Sequence, residues 1–275
     1  MATIKDSPLG KSSAYVAQYD PSLLYPIARG ESRKALGLND ALPFFGEDIW
    51  TGYELSWLNA KGLPQVALIE FCLPCDSPNI VESKSIKLYL NSFNQSHFSG
   101  AAEVQALITK DLSQAAGATV TVSLRSVNEV DAGFVGFAGA PLNATCLDDL
   151  DIHIDEYTPN PSLLSATAGE GGSFFSNLLK SNCPVTGQPD WASVWVSCTG
   201  VNINPEGLLR YIVSYREHQD FHEHCVERMF CDVLAQCQPT TLEVYARYTR
   251  RGGLDINPYR ATAKQSAPRL RLIRQ

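Results

Sequence analysis

Cys183 and Asp190 are the first residues of the chain whose types and spacing could carry out chemistry. Cys183 lies in the segment SNCPVTGQPDW, residues 181–191, and Asp190 stands near the end of the same segment. The proline and glycine of this segment are typical of a loop, whereas a structural cysteine is usually buried as a small apolar side chain. Cys183 is therefore a candidate nucleophile, metal ligand or disulfide partner.

Asp190 and His222 are candidates for moving protons near such a nucleophile. A cysteine attacks as the thiolate and needs a neighbouring base or cation, because its ordinary pKa is about 8.5. Asp190 can act as a general acid only if burial, for example against Trp191, raises its pKa well above about 4. His222 is the natural proton carrier near neutral pH. Each residue also has a structural interpretation, a turn or cap for Asp190 and a core histidine for His222.

Composition limits the class of protein. The chain has 275 residues, of which 44% are hydrophobic and 19% charged, as expected for a soluble globular protein with one large or two smaller domains. Residues 1–30 contain no long apolar segment after a basic start, which argues against a signal peptide or membrane anchor. We expect a cytoplasmic protein whose eight cysteines are mostly reduced.

The charge distribution argues against a general nucleic-acid-binding protein. The net charge is −7, whereas such proteins usually present a basic surface. From residue 247 onward, however, seven arginines accompany a single acid, Asp255; they lie at positions 247, 250, 251, 260, 269, 271 and 274. A solvated or dimer-facing surface is the ordinary interpretation. A site for the phosphates of a small ligand is the alternative, because arginine forks and glycine amides suit phosphate.

The metal hypothesis has incomplete ligand sets. Cys72 and Cys75 have zinc-ribbon spacing without a second pair, and residues 222–225, His-Glu-His-Cys, lack the HExxH spacing of zinc proteases. We therefore predict no metal site. No GxGxxG or Walker motif is present, so any dinucleotide would bind outside a Rossmann domain.

The two halves of the chain echo each other. The number of residues from Trp50 to Trp191 equals the number from Glu82 to Glu223. Alternating apolar residues predict two antiparallel strands in each half. The alternating residues of the first half are Tyr53, Leu55 and Trp57 in one strand and Ala67, Ile69 and Phe71 in the other. Those of the second half are Val194, Val196 and Cys198 in one strand and Leu209, Tyr211 and Val213 in the other.

After its glutamate each half is predicted to turn helical, and a further strand follows at 120–124 and 242–248. In the second half the helical spacing of five apolar residues predicts a helix that ends before Pro239: Val226, Met229, Phe230, Val233 and Leu234. Residues 139–181, which include TAGEGGS, are expected to form a linker with some local structure. We predict two copies of one α+β domain, at 1–138 and, with the linker, at 139–275.

The duplication suggests where chemistry lies. We align the two halves without gaps at this separation. Leu42, Ile49 and Val81 then correspond to Cys183, Asp190 and His222, and Glu82 corresponds to Glu223. The reactive types then occur in the second half alone, whereas the carboxylate occurs in both. We expect the second half to carry the catalysis and the first half to supply binding groups.

Four segments resemble, in the right order, the long two-module form of the NADPH-dependent 7-cyano-7-deazaguanine reductases, the nitrile reductases of queuosine biosynthesis, a tRNA modification pathway. ESKSIKLY, residues 82–89, resembles the signature octapeptide of that family, and the other segments are NCPVTGQPDW, FHEHCVERMF and ARYTRRGGLDINPYR. The resemblance covers the chain from about residue 20 onward. It implies an α+β protein of two tandem tunnelling-fold modules, each an antiparallel sheet with helices packed on one face.

The resemblance also implies a reaction, the four-electron reduction of the nitrile of 7-cyano-7-deazaguanine by NADPH. Cys183 would form a thioimide, Asp190 would protonate the nitrogen, and His222 would assist later proton transfers. The substrate contacts implied are Val81, Glu82, Ser83, His222 and Glu223, and the NADPH contacts are Ser83, Lys84, Arg251 and Gly252. A cytoplasmic homodimer that uses no metal and acts on a small molecule, not on nucleic acid or membrane, is implied as well.

Two alternatives from other classes remain. Relatives with the same fold include purine- and pterin-processing hydrolases of the GTP cyclohydrolase type, some of which use zinc. A non-catalytic purine-binding module is the other. The pair of Cys183 and Asp190 favours the reductase, and bound zinc in the purified protein would favour the hydrolase.

Overall fold

A computed structural model of the protein describes residues 15–38, 41–127, 143–269 and 271–275. These residues divide into two units. The first comprises 15–37, 48–127 and 250–255, and the second comprises 38, 41–47, 143–249 and the described part of 256–275. Within these ranges, no helix is long and apolar enough to cross a membrane.

The first unit combines a sheet with helices. Its strands are β1 (Pro26–Ala28), most of β2 (Phe45–Leu58), β3 (Pro64–Pro74), β4 (Asn79–Val81) and β5 (Thr121–Arg125), and its helices are α1 (Gly30–Ala35), α2 (Ser83–Asn91) and α3 (Ala101–Ala116). The order β5-β3-β2 forms one sheet, in which β3 and β5 are antiparallel, and β1 pairs antiparallel with β4. The strand predicted from Ala67, Ile69 and Phe71 is confirmed, since all three are buried in β3.

The second unit has a sheet in the order β10-β9-β8-β7-β6. Its strands are β6 (Thr145–Cys146), β7 (Ala166–Asn182), β8 (Pro189–Ile203), β9 (Thr241–Tyr248) and most of β10 (Leu254–Ala261), and its helices are α4 (Pro205–Ser214) and α5 (His222–Cys237). β7, β8, β9 and β10 are successively antiparallel, whereas the short β6 runs parallel to β7. Both units are therefore α+β, with sheets that are mainly antiparallel.

The predicted helix of the second unit is confirmed. In α5 the side chains of Val226, Met229, Phe230 and Val233 are buried, because they recur on one face at helical spacing. The helix ends at Gln238, whose φ of 52° lies in the left-handed region. Pro239 follows and cannot continue the helix.

The strand predicted from Leu209, Tyr211 and Val213 is wrong, because these residues belong to α4. Asn204 caps this helix by accepting hydrogen bonds from the backbone N–H groups of Glu206 and Gly207, and Pro205 occupies the first helical position. Leu208 and Ile212 are also buried, so the full apolar pattern has the period of a helix. The alternating residues were a subset of that pattern.

The prediction of a linker at 139–181 is also wrong from Ala166 onward, where the structure has a strand. TAGEGGS lies inside the strand β7, which pairs with β8 along most of its length. The register shifts between Ala168 and Gly171. Gly171 has a φ of 109°, and a Cβ there would lie 2.1 Å from the Cys198 carbonyl oxygen. The glycine thus permits a bulge against β8 and does not mark a flexible segment.

The two units repeat one order of elements. The neighbouring strands β2 and β3, the helices α2 and α3 and the strand β5 in the first unit match β7, β8, α4, α5 and β9 in the second. A short 3₁₀ helix precedes each set, at Pro21–Leu23 and at Pro161–Leu163. In both cases the preceding side chain, Asp20 or Asn160, caps it. The order of elements is thus repeated in the two units.

Equivalent hydrogen bonds show which residues correspond. Glu82 caps α2 and donates its backbone N–H to the Tyr25 carbonyl, and Asn204 caps α4 and donates to the Ser165 carbonyl. The number of residues from Glu82 to Asn204 is much smaller than the number from Tyr25 to Ser165. The constant offset assumed from the sequence is therefore wrong, because the segments between the strands differ in length. Glu82 corresponds to Asn204 and not to Glu223.

The correspondence of the two reactive segments changes with it. Cys183 follows β7 and so corresponds to the β2–β3 turn at 59–63, Asn-Ala-Lys-Gly-Leu, and not to Leu42. His222 begins α5 and so corresponds to the start of α3 at Ala101, and not to Val81. The reactive residue types are still confined to the second unit at these positions.

Candidate active site

Cys183 lies at the start of the turn that joins β7 to β8. Its backbone N–H donates to the Gln188 carbonyl at 2.9 Å, and its carbonyl accepts from the Gly187 N–H at 3.0 Å. Gly187 has a φ of 68°, a conformation that glycine adopts without strain. The loop predicted around Cys183 is therefore a tight turn, and the cysteine side chain is only 4% exposed.

Backbone hydrogen bonds hold the Cys183 turn against the segment that leads into α5. The Asn182 N–H donates to the His218 carbonyl at 2.8 Å, and the Asn182 carbonyl accepts from the Asp220 N–H at 3.1 Å. His222 is the first residue of α5. Two segments that are distant in sequence are thus joined immediately before Cys183 and immediately before His222.

Asp190 and His222 are in contact. The Oδ2 atom of Asp190 lies 3.2 Å from the Nε2 atom of His222, and the Asp190 side chain is 7% exposed. Asp190 pairs with Ser181 across β7 and β8, so these two side chains lie on the same face. Cys183, two positions after Ser181, is the first residue beyond the end of β7. Three predicted catalytic residues therefore belong to one small region of the second unit.

Trp191 does not bury Asp190, contrary to the interpretation from the sequence. Adjacent residues of a strand point to opposite faces, and both belong to β8. The Trp191 side chain is 37% exposed, and the Arg216 guanidinium lies 5.6 Å from its ring centroid. Asp190 points to the opposite face, where it is buried and contacts His222.

A second aromatic residue, Tyr248, lies against the imidazole of His222. The two rings are 3.7 Å apart and differ in plane by 5°. Tyr248 is the last residue of β9 and is 1% exposed. The Nδ1 atom of His222 is buried and has no hydrogen-bond partner within the described residues.

The first turn of α5 carries further acid and base groups. Glu223 is 3% exposed at the N-terminal end of the helix, where the helix dipole favours a negative charge. Asp220 precedes the helix and contacts both His218 and His224. Burial on its own would raise the pKa of Asp220, but hydrogen bonds from His218 and His224 lower it below its ordinary value.

All eight cysteines are free thiols, but they are not equally suited to attack. Burial raises the pKa of Cys225, one helical turn after His222, well above its ordinary value. Burial also raises the pKa of Cys198 and of Cys237. These three groups are held as thiols, which are poor nucleophiles.

In the first unit, Glu82 ends the segment after β4 and caps α2. Its carboxylate accepts hydrogen bonds from the backbone N–H groups of Lys84 and Ser85. Val81 is 1% exposed in β4, and the Ser83 hydroxyl lies 3.4 Å from the Glu82 carboxylate. Burial raises the pKa of Glu82, although the hydrogen bonds and Lys87 oppose this shift. Glutamate is not among the residues usually preferred at a helix N-cap.

Arg251 and Gly252 belong to a tight turn between β9 and β10. The Arg251 N–H donates to the Leu254 carbonyl at 2.8 Å, and Gly252 and Gly253 have φ values of 58° and 76°. Two consecutive positive φ values are typical of a type I′ hairpin turn. A Cβ at Gly252 would lie 3.1 to 3.3 Å from the end of the Lys87 side chain. The turn and α2 therefore approach each other through Lys87.

A pocket of about 270 Å³ opens beside this turn, lined among others by Gly52, Glu54, Lys87, Asn91, Gly252 and Gly253. Lys84 and Lys87 are three positions apart in α2 and so lie on one side of the helix. Arg251 is half-buried at the turn. The four predicted cofactor-binding residues thus lie at the start of α2 and in a turn that α2 contacts.

The seven arginines from residue 247 onward do not form one surface. Arg247 and Arg260 are 4% and 0% exposed. Arg260 pairs with the buried Glu227 at 2.9 Å, and Arg269 pairs with Glu47 at 2.9 Å. Arg250 lies 4.5 Å from the centroid of the Tyr53 ring. Most of these arginines therefore hold the fold together, and the phosphate hypothesis is left with the turn at Arg251.

No metal-binding group is found among the residues that the structure describes. In those ranges, no three histidine, cysteine, aspartate or glutamate side chains are grouped as a metal ion requires. Cys72 and Cys75 are both buried.

Tyr248 and Lys87 were not assigned to the site from the sequence. The spacing of Lys84 and Lys87 in a predicted helix was a usable signal for the lysine. Tyr248 was predicted only as a strand residue, and no pattern in the sequence relates it to His222, which belongs to a different predicted element.

Two family models match separate parts of the chain. Residues 15–124 match the family described as nitrile reductase, 7-cyano-7-deazaguanine-reductase N-term, and residues 189–267 match the family described as QueF-like protein. A solved structure of an archaeosine synthase QueF-Like in the apo form aligns with 37% of this chain and 96% of its own at 18% identity and a TM-score of 0.30, too low to bear on the fold.

Curated relatives match nearly the whole chain, and each is named an NADPH-dependent 7-cyano-7-deazaguanine reductase. The protein of Bordetella avium is 54% identical over 96% of both chains. That of Burkholderia cenocepacia is 55% identical over 95% of both chains. That of Paraburkholderia xenovorans is 54% identical over 99% of this chain and 100% of its own. The chain therefore belongs to the NADPH-dependent 7-cyano-7-deazaguanine reductase family.

Proposed function

We propose that the protein reduces the nitrile of 7-cyano-7-deazaguanine to an aminomethyl group with NADPH, a step of queuosine biosynthesis. The names of relatives that match nearly the full length support the activity. The contact of Asp190 with His222, beside the turn that carries Cys183, is the observation that carries the mechanism. It favours a nucleophile beside a paired acid and base.

Cys183 attacks the nitrile carbon, and a carbon–sulfur bond forms while one carbon–nitrogen π bond breaks. The nitrogen takes a proton from Asp190, so the product is a neutral thioimide and nothing is expelled. When bound, NADPH supplies hydride, and two molecules of it provide the four electrons. Cys183 leaves as the thiolate when the reduced thioimide collapses to an imine. His222 passes protons to the nitrogen at this stage and at the final amine.

Burial of the catalytic groups protects the intermediates. Cys183 and Asp190 are both buried. An imine hydrolyses in water, so a site that admits little water preserves it for the second reduction. The thiols that burial holds protonated, such as Cys225, do not compete with Cys183 for the substrate.

Glu82 and Glu223 bind the deazaguanine base in this proposal, with Val81, Ser83 and His222 as neighbours. A guanine-like base presents adjacent N–H donors, which a carboxylate accepts in a forked arrangement. The two capping bonds of Glu82 and the long bond from the Ser83 hydroxyl occupy three of about four lone-pair positions of its carboxylate, so it can still accept from a ligand, and a ligand can replace the Ser83 bond. These bonds also fix its orientation before the base arrives.

Ser83, Lys84, Arg251 and Gly252 hold NADPH, with Lys87 as an additional cation. The residues present fit an anionic dinucleotide. The Gly252–Gly253 backbone has positive φ values that glycine tolerates. A side chain at Gly252 would crowd Lys87, so the glycine keeps the space beside the turn open. Bare backbone amides and neighbouring lysine and arginine side chains suit phosphate groups.

The finer organisation is proposed on the same basis. The repeated order of strands, two helices and strands, with equivalent caps at Glu82 and Asn204, supports two tandem tunnelling-fold modules. Their bounds are 1–138 and 139–275, the second including the connecting segment. The resemblance to the family supports a cytoplasmic homodimer that binds a small molecule and neither nucleic acid nor membrane.

Oxidation of NADPH on addition of 7-cyano-7-deazaguanine tests the function. We expect two molecules of NADPH to be oxidised for each aminomethyl product, as the electron count requires. Guanine serves as the control, because it presents the same N–H edge and no nitrile. NADPH oxidation that does not depend on the nitrile, or hydrolysis of the base by zinc-containing protein, would favour the hydrolase alternative.

A further inference from the structure

Tyr248 covers one face of the His222 imidazole in the second unit. The rings lie 3.7 Å apart and are parallel to within 5°, the closest ring pair of the described residues. We propose that Tyr248 is a positioning residue that fixes the plane of the His222 ring, so that Nε2 stays directed at Asp190. The proposal rests on the proton-transfer role given to His222 in the proposed function.

His222 needs such a support because its other ring nitrogen does not provide one. A working histidine is usually oriented by a hydrogen bond to the nitrogen that does not take part in the chemistry. Here Nδ1 is buried without a hydrogen-bond partner within the described residues, and Nε2 faces Asp190. The ring is held at Cγ by its own side chain and at Nε2 by Asp190, which leaves rotation of the ring plane about the line between these two atoms. The parallel contact with Tyr248 removes this freedom.

The strand that carries Tyr248 is held on both sides. Tyr248 pairs with Ala192 of β8, two positions after Asp190, so the tyrosine and the aspartate are positioned by the same strand. The Tyr248 carbonyl accepts a hydrogen bond from Gln275 Nε2 at 3.0 Å. Gln275 is buried, and its side chain also bonds to Arg247 and Asn257. The backbone of Tyr248 is therefore fixed relative to Asp190.

The ring of Tyr248, and not its hydroxyl, performs this role. The hydroxyl is buried with Ser181 as a polar neighbour, and no bond of good geometry joins them. Burial raises the pKa of Tyr248 well above its ordinary value, so the phenol neither gives up nor carries a proton near neutral pH. Removal of an unsatisfied buried hydroxyl is close to neutral for stability. Tyr248→Phe should therefore behave like the wild type.

Two substitutions at Tyr248 separate the ring from the hydroxyl. Tyr248→Phe keeps the ring, and Tyr248→Leu removes it and leaves an apolar side chain. Tyr245→Leu is the matched control, because Tyr245 is a buried ring of the same strand that contacts Trp195 and Tyr259 instead of His222. We expect Tyr248→Leu to lower kcat by about tenfold to a hundredfold, as a displaced catalytic group does. The other two variants should keep kcat within about twofold, and base affinity should change little in all three.

The proton–carbon NMR spectrum of the five histidines gives a readout that a merely structural role would not move. His222→Asn identifies the signals of His222 by their loss. In the wild type these ring protons should be shifted upfield by the facing phenol, in Tyr248→Phe they should stay there, and in Tyr248→Leu they should move downfield. Tyr245→Leu should leave them in place.

The proposal is overturned if the wild-type signals of His222 show no upfield shift, which is measurable even if Tyr248→Leu does not fold. It is also overturned if folded Tyr248→Leu keeps wild-type kcat. Failure of the proposed function looks different. In that case the wild type would not oxidise NADPH with the nitrile, while the His222 signals would still respond to Tyr248→Leu.

Discussion

The Nε2 atom of His222 lies 3.2 Å from the Oδ2 atom of Asp190, although the two residues come from the start of α5 and the start of β8. The bonds of Asn182 to the segment before α5 bring these two elements together. An acid and a base in contact can hand one proton between them. The contact therefore joins the two proton-transfer roles of the proposed mechanism into one unit.

Asp190→Asn should slow formation of the thioimide by about a hundredfold or more, because the variant lacks the proton that the nitrile nitrogen needs. Base affinity should stay within about twofold, since the attacking sulfur and the base contacts remain. Rapid quenching followed by mass spectrometry measures the rate of adduct formation. Asp220→Asn is the matched control, because Asp220 contacts His218 and His224 and not His222 in the observed bonds. Equal rates in wild type and Asp190→Asn would contradict the role of Asp190.

Asp220 should make the stability of the protein depend on acid pH. Its folded pKa is lowered, so its contribution is present above the unfolded value of about 4 and is lost as the pH falls through the folded value. Asp220→Asn should lower the free energy of unfolding at pH 7 by about 1 to 2 kcal/mol. Urea unfolding at several pH values measures the difference, which should shrink below pH 4. A difference that is the same at all pH values would show that the charge of Asp220 is not its source.

Glu82 and Asn204 separate helix capping from base binding, because they occupy equivalent positions of the two units. Glu82→Ala and Asn204→Ala should each lower stability by about 1 kcal/mol through loss of an N-cap. Only Glu82→Ala should weaken base binding, by about a hundredfold or more, since N–H donors of the bound base would be left unpaired. Calorimetric titration with the base and urea unfolding measure the two effects. Similar base affinities in the two variants would remove Glu82 from the binding site.

Arg251→Ala should weaken NADPH far more than NADH, because a charge-assisted bond to the 2′-phosphate exists only with NADPH. We expect the KM for NADPH to rise by about tenfold or more and the KM for NADH to change little. Arg250→Ala is the control, since the neighbouring guanidinium lies over the Tyr53 ring. Initial rates with both dinucleotides measure the ratio. Equal losses for both dinucleotides would assign Arg251 to another role.

The sequence predicted those elements whose periodicity is unambiguous. Ala67, Ile69 and Phe71 alternate within a short apolar run between Pro64 and Pro74 that is rich in β-branched and aromatic residues, which favours a strand, and they form β3. Leu209, Tyr211 and Val213 alternate too, but Leu208 and Ile212 beside them complete a pattern with the period of a helix. Asn204 caps this segment, which therefore forms a helix. A subset of a helical pattern can thus imitate a short strand.

The site was predictable as residue types and not as contacts. Cys183, Asp190 and His222 stand in segments that resemble motifs of a known family. The stacking of Tyr248 on His222 depends on how β9 lies beside the start of α5, which no local pattern encodes. The correspondence of Glu82 with Asn204 was hidden by segments of unequal length, and only the repeated hydrogen bonds reveal it.

The central claim is that Cys183 attacks the nitrile, and mass spectrometry of the protein mixed with 7-cyano-7-deazaguanine in the absence of NADPH tests it most directly. Addition to a nitrile expels nothing, so the protein mass should increase by the whole mass of the substrate. Peptide mapping should place the adduct on Cys183, Cys183→Ala should abolish it with base affinity nearly intact, and Cys225→Ala should retain it. An adduct on Cys225 or Cys198, or nitrile reduction by Cys183→Ala, would contradict the mechanism.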